Sequence, residues 1–164
     1  MNTNILRIDD QHALPRALET LQRGRLVAFP TDTVYGLGGN AFNPRAVELI
    51  YRAKQRPLDN PLPIMIGDLS DLRLVALPLP EHVRELMDRF WPGPLTLVIP
   101  ALPGLSPLLA PRGAVGVRQP DHQHALLLLS RAGPLAATSA NQSGGQDPRT
   151  AQEVFNQLGG TVDL

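Results

Sequence analysis

The chain has 164 residues, its fifteen Lys and Arg balance fifteen Asp and Glu, and it contains no cysteine. That length suits one domain, able to bury roughly two-thirds of its unfolded surface. Zero formal charge argues against a strongly basic nucleic-acid binder, the missing cysteine excludes disulfides and thiolate metal sites, and no run of about 18 apolar residues is present to span a membrane. The opening residues lack the basic and apolar regions of a signal peptide, so a cytoplasmic protein is expected. Ile5–Ile8 predicts a short first strand. A helix follows to about Arg23, with Pro15 in its first turn and Gly24 as its stop. Leu26–Phe29 predicts a buried strand ending at Pro30. Asn43 and Pro44 read as an N-cap followed by a proline at the first helical position. Ala46, Val47, Ile50 and Ala53 share one face of the helix that ensues, which runs to about Gln55 and is stopped by Pro57. Leu62–Ile66 predicts a strand, at an edge or irregular at its start because of Pro61 and Pro63. Pro80 opens a helix to about Phe90, and Trp91-Pro92-Gly93-Pro94 forms a tight turn into a strand over Leu95–Ile99. Residues 101–112 form a proline- and glycine-rich surface loop. Ala114–Val117 is a strand, Asp121 starts a helix to about Ser130, and Leu135–Ala137 is a short strand entering Thr138-Ser139-Ala140-Asn141. Residues 142–149 form a polar loop, Thr150 caps a helix to about Leu158, and Thr161–Leu164 looks like the start of another strand. The alternation predicts one α/β or α+β layered domain over residues 1–164.

Lys54 is the only lysine among the fifteen basic residues, in the run Arg52-Ala53-Lys54-Gln55-Arg56-Pro57. A lysine is a compact point charge and an arginine a planar fork. One of each, two residues apart, suits a polyanion such as a triphosphate, with the ordinary alternative a solvated charge at a helix end. Three further polar segments follow short apolar strands. Pro30-Thr31-Asp32-Thr33-Val34-Tyr35-Gly36-Leu37-Gly38-Gly39 offers hydroxyls, and glycines that let a backbone approach a ligand; otherwise it is a glycine-rich turn between strands. It lacks the Gly-Lys-Ser/Thr ending of a phosphate P-loop. Thr138–Gly144 offers Ser139 and Asn141, or else is a capped turn. Arg118, at the end of its strand, can fork onto a carboxylate, or else is a surface charge. His122 and His124 flank Gln123 like a metal-ligand pair, but their place at a helix start favours a solvated polar face. Ligand groups gather outside strand ends in α/β sheets, so these segments weigh more together than singly.

In this order, PTDTVYGLGG, KQRP followed by DNPL, FWPGPLTLVIP, VGVRQPDH and TSANQSG resemble the YrdC family of threonylcarbamoyl-AMP synthases. The resemblance runs from about Leu26 onward, and Lys54, Arg56, Ser139 and Asn141 match the family's paired nucleotide-site signature. It implies a twisted, mostly open sheet with helices around a concave, cationic cavity. It implies an enzyme that joins L-threonine, bicarbonate and ATP into threonylcarbamoyl-adenylate, releasing pyrophosphate, for the threonylcarbamoyladenosine modification of tRNA by a downstream transferase. Lys54 and Arg56 would neutralise the triphosphate with Mg²⁺, Ser139 and Asn141 would hold the nucleotide, and Arg118 would take the threonine carboxylate. Thr31 and Tyr35 would line the threonine pocket. Longer members carry a histidine where this chain has Met65, and continue past the Val162-Asp163-Leu164 segment through a glycine-rich stretch that supplies ligand groups; the domain over residues 1–164 is either short or truncated at its C-terminus. Two other readings compete. A carbamoyl-transfer module of a hydrogenase-maturation or antibiotic enzyme belongs to longer chains with zinc-finger or kinase-like segments. A non-catalytic module could hold double-stranded RNA or tRNA by its backbone, against which the zero net charge and few aromatics weigh.

Overall fold

A computed structural model describes residues 3–164. Among the described residues, five α-helices form where amphipathic spacing and local signals agree. Helix α1, Ala13–Gln22, buries Ala17 and Leu21, four apart on one face. Helix α2, Pro44–Lys54, starts where the Asn43 side chain accepts from the Arg45 and Ala46 amides. It ends because Gln55 turns left-handed, with φ 52°. It buries Ala46, Val47, Ile50, Tyr51, Ala53 and, in its last turn, Lys54. Helix α3 spans Glu81–Phe90 and α4 spans Gln123–Ala132. Helix α5, Ala151–Leu158, opens on a reciprocal cap between Thr150 and Glu153. A 3-10 helix at Leu69–Leu74, capped by Asp68, is not foreshadowed by the sequence pattern. Among the described residues, no helix is long and apolar enough to cross a membrane.

Among the described residues, six strands form one open mixed sheet: β1 (Val27–Phe29), β2 (Gly36–Asn40), β3 (Ile64–Met65), β4 (Leu97–Pro100), β5 (Ala114–Arg118) and β6 (Leu135–Ser139), in the order β1-β2-β6-β3-β5-β4. Of these, β3 and β5 run parallel and the other neighbouring pairs antiparallel. Three expectations need correction. Ile5–Ile8 is not a strand; its residues lie over an apolar cavity of about 420 Å³ bounded by α1, β1 and α5. The glycine run 36–39 is a strand rather than a turn. Glycine is disfavoured in strands unless another group must approach closely, and here the close neighbours are the protein's own. A Cβ on Gly38 would lie 2.9 Å from the Phe29 ring, and one on Gly39 would lie 3.0 Å from Leu26. Finally, Thr161–Leu164 is not the start of a strand: it lies along β1 outside regular structure, where Leu164 O accepts from Ala28 N at 2.7 Å. Of the two readings of β3, the irregular start holds and the edge does not: β3 is two residues long and lies between β6 and β5.

The register sorts the side chains, because residues paired across strands share a face. Phe29, Gly36 and Ser139 lie in one row, Val27, Gly38 and Ala137 in another, and Leu135, Met65 and Arg118 in a third. This face packs Phe29, Met65, Leu135 and Ala137 against Ala17 and Leu21 of α1 and Ala125, Leu128 and Leu129 of α4. The opposite face carries Leu37, Ile64, Val115, Val117 and Ala136 into the larger core with Val47, Ile50, Met87, Trp91 and Val154. Ser139 and Arg118 therefore project from the same side of the sheet.

Gly67, two residues past β3, carries the backbone directly beneath α4. A Cβ there would lie 2.4 Å from Ser130 N and 2.8 Å from Leu129 C, both rigid helix backbone. Gly67→Ala should therefore destabilise the protein by at least about 1–3 kcal/mol, the usual cost of overpacking. Urea unfolding checks this: an unchanged midpoint would mean that α4 yields without cost.

Candidate functional site

Three segments meet beside the end of β6. Residues 30–35 leave β1, turn over the sheet and enter β2. Thr31 sets the turn: its Oγ1 donates to Val34 O at 2.7 Å and accepts from Thr33 N at 3.2 Å. Tyr35 then ties the segment to the others, since Tyr35 O accepts from Ala140 N and Tyr35 N donates to Pro148 O, each at 2.8 Å.

The first polar node centres on Lys54. Its Nζ donates to Ser139 O, Asn141 O and, at 3.1 Å, Asn141 Oδ1. The side chain is only 1% exposed. An ammonium has three donors, and all three are used. Ser139 Oγ donates to Asn141 Oδ1 at 2.6 Å, Asn141 Nδ2 donates to Gly145 O at 2.8 Å, and Ser143 N returns to Lys54 O at 3.0 Å. The lysine thus folds the 139–145 loop around its own charge. Burial pushes its pKa down to about 8, the Arg56 charge adds to the fall, and Asp147 opposes it. The arrangement answers why a compact cation stands here: three oxygens converge on one point, which a planar fork does not match.

The second node centres on Arg118, 9% exposed. Its Nε donates to Gly93 O at 3.0 Å, one Nη to Thr33 Oγ1 at 3.2 Å, and the other Nη to Asp32 Oδ1 at 2.6 Å. Three of five N–H donors are used, leaving one on each Nη. The Asp32 contact is a largely enclosed ion pair, with side chains 11% and 15% exposed.

Of the residues singled out from sequence, Lys54, Ser139 and Asn141 form one network, and Arg118 joins the Thr31–Tyr35 segment. Arg56 joins neither; its Nε and Nη2 bond Asn60 O at 2.9 Å and Pro61 O at 3.2 Å in its own loop. It reaches Lys54 by charge alone. Tyr35 is half-buried, its hydroxyl pKa raised by that burial, and it borders the apolar cavity. Met65 is buried among apolar side chains in the row of Arg118. His122 and His124 are half-buried rather than solvated, with rings 5.8 Å apart and His122 Nδ1 buried without a hydrogen-bond partner. Sequence reasoning missed Asp32 and the Gly93 carbonyl as partners of Arg118. The signal for Asp32 was available: it is the one carboxylate in the hydroxyl- and glycine-rich segment.

A mixed open sheet that carries a buried lysine network past the end of β6 and a buried arginine–aspartate pair at the end of β5, linked through the 30–35 segment, defines an α/β domain with two linked cationic nodes. The chain belongs to the Sua5/YciO/YrdC family, whose model, described as "Telomere recombination", matches residues 19–164. It is 48% identical over 152 residues to the threonylcarbamoyl-AMP synthase of Bacillus subtilis (strain 168), covering 91% of this chain and 44% of that relative. The crystal structure of P. abyssi Sua5 complexed with L-threonine superposes with a TM-score of 0.89 at 40% identity, covering 99% of this chain and 47% of that one. The crystal structure of E. coli YciO superposes with a TM-score of 0.83 at 28% identity, covering 99% and 79% respectively. The chain therefore spans less than half the length of the B. subtilis and P. abyssi relatives.

Proposed function

We propose that this domain carries the site at which L-threonine, bicarbonate and ATP are joined into threonylcarbamoyl-AMP, with release of pyrophosphate. The observation that carries the reading is a cationic Lys54–Ser139–Asn141 network linked, through the 30–35 segment, to an Arg118 fork that retains two N–H donors. The first suits phosphate and the second a carboxylate. The similarity to a synthase and to a threonine-bound relative supports the same pairing of substrates.

The chemistry asks for positioning and charge neutralisation rather than a protein nucleophile. The threonine ammonium first gives up a proton, the neutral amine then captures bicarbonate as a carbamate with loss of water, and a carbamate oxygen attacks the α-phosphate as pyrophosphate leaves. Lys54 acts from beneath the 139–145 loop: it fixes Ser139 and Asn141 and lends the loop its charge. Arg56 supplies charge from the rim. Arg118 takes the α-carboxylate, and the turn set by Thr31 lies where the substrate hydroxyl would be read, with Tyr35 closing the apolar side. These groups gain most where water is excluded and donors are already oriented. The groups around residues 139–141 are an ammonium, a hydroxyl and an amide, with no carboxylate cluster among the described residues to hold a metal, so Mg²⁺ would come with ATP and add to the charge neutralisation there. Bicarbonate, tRNA and a downstream threonylcarbamoyl transferase complete the set of partners, in the cytoplasm. The test is pyrophosphate release by the chain with ATP and bicarbonate, with and without L-threonine: release must depend on threonine.

The pH response follows from Lys54. It is charged below about pH 8 and neutral above. Affinity for an ATP analogue should fall as pH rises through about 8. Stability moves the other way. The folded state gives up this proton at about 8 and the unfolded chain at 10.5, so the unfolded state holds more protons between these values. This group's contribution to stability therefore rises with pH there. Calorimetric affinities paired with urea midpoints at pH 7 and 9 separate lost binding from lost fold. Affinity flat across that range would mean that the Lys54 charge does not act on the nucleotide.

Amino-acid selectivity follows from the hydroxyl-lined turn. A site that hydrogen-bonds a substrate hydroxyl discriminates against an analogue without it, and the Thr31 hydroxyl, whose proton goes to Val34 O, would serve there as an acceptor. L-Threonine should outperform L-valine strongly. L-Serine, which loses only a methyl worth about 1–3 kcal/mol, should be weak but detectable. Valine supporting pyrophosphate release as well as threonine does would leave Thr31 a turn residue.

A further inference from the structure

Arg118 is fixed at three nitrogens, yet the carboxylate that helps to fix it is only half used. Asp32 Oδ1 accepts from Arg118 at 2.6 Å, while Oδ2 accepts no hydrogen bond among the described residues. The Asp32 side chain keeps 15% of its surface exposed. The pair thus presents unused capacity of both signs side by side: two guanidinium N–H groups and one carboxylate oxygen. Thr31 and Thr33 flank it with hydroxyls.

A residue needed only to brace Arg118 could be neutral, as Gly93 O and Thr33 Oγ1 are on the other two nitrogens. A carboxylate there has a further consequence: it weakens the attraction of the guanidinium for any second anion. A site that bound a simple carboxylate would be better without it. A site that binds an amino acid would be better with it, because the α-carboxylate and α-amine are joined through one carbon and need complementary charges in contact. We propose that Asp32 and Arg118 together read the amino-acid substrate as a zwitterion, Arg118 taking the α-carboxylate and Asp32 Oδ2 the α-amine. This rests on the threonine reading above and deepens it. Asp32 becomes a specificity-determining residue that admits α-amino acids and turns away acids of the same shape without the amine. A carboxylate accepts from an ammonium and from a neutral amine alike, so the contact survives the proton loss that carbamate formation requires.

The test compares two probes by calorimetry, with a non-hydrolysable ATP analogue present: L-threonine and 2,3-dihydroxybutanoate, its counterpart with a hydroxyl replacing the amine. The wild-type chain should prefer threonine by about tenfold or more, the scale of one charge-assisted hydrogen bond. Asp32→Asn should reduce that preference to about threefold or less, and Asp32→Glu, which keeps the charge, should retain it. Parallel weakening of both probes in Asp32→Asn, with the preference intact, would overturn the assignment and leave Asp32 a brace for Arg118. Loss of the preference in Asp32→Glu would also count against it. Should the wild type bind neither probe, the threonine reading of the site falls, an outcome distinct from parallel weakening.

Discussion

Lys54→Ala is expected to lower affinity for ATP by tenfold or more, and to loosen the 139–145 loop as well. The substitution removes the donor shared by Ser139 O, Asn141 O and Asn141 Oδ1, of which Oδ1 keeps its bond from Ser139 Oγ. A buried acceptor left unpaired costs about 1–3 kcal/mol, and a hydrogen bond to a charged group contributes about 1.5–3 kcal/mol. Removing a buried charge relieves part of this, since burial is what depresses the Lys54 pKa. The binding loss should therefore exceed the stability loss. Lys54→Arg should fare little better, because a flat fork at 1% exposure cannot aim three donors at one cluster of oxygens. Calorimetry with an ATP analogue, alongside urea unfolding, checks both statements. Wild-type ATP affinity in Lys54→Ala would mean that this buried network is scaffolding alone.

Arg118→Met is expected to abolish measurable threonine binding and to destabilise the fold. It leaves Asp32 with a mostly enclosed carboxylate and no cation, and strands Gly93 O. Breaking an enclosed pair by removing one partner costs about 3–5 kcal/mol, and the residual exposure of both side chains points to the lower end. Arg118→Lys should recover part of the stability, since a charge again faces Asp32. It should not recover threonine affinity, because one ammonium cannot hold Gly93, Thr33 and Asp32 and still offer a fork. Threonine titrations and thermal melts on the two variants separate these effects. Full threonine affinity in Arg118→Lys would show that charge alone, without the fork, binds the carboxylate.

The helices were legible in the sequence because each carries its own signal: the Asn43-Pro44 start, the Thr150 cap and the apolar spacing of Ala46, Val47 and Ile50. The strands were less so. At Gly36–Asn40 the strand is specified by its neighbours on both sides, Phe29 against Gly38 and Leu26 against Gly39, and no local propensity reports that. Ile5–Ile8 has a strand's composition, but its residues line a cavity and, among the described residues, no strand pairs with it. At the site, residue types were legible and their partners were not. The lone lysine announced itself by composition, but its three acceptors are two backbone carbonyls and a side chain some 85 residues away in sequence. Arg118 was visible at a strand end, whereas Asp32 reaches it only because the 30–35 segment turns back over the sheet. Long-range pairing of this kind is set by topology, which the sequence pattern constrains only in outline.

If one polar site on this domain unites threonine, bicarbonate and ATP, all three must leave their atoms in a single product. The chain can be supplied with ATP, L-threonine and ¹³C-bicarbonate, and the adenylate analysed by mass spectrometry. The expected product is an adenylate that carries the threonine mass and one ¹³C, formed together with pyrophosphate and absent when threonine or ATP is omitted. Pyrophosphate released at the same rate without threonine, or an adenylate lacking the labelled carbon, would contradict the assignment.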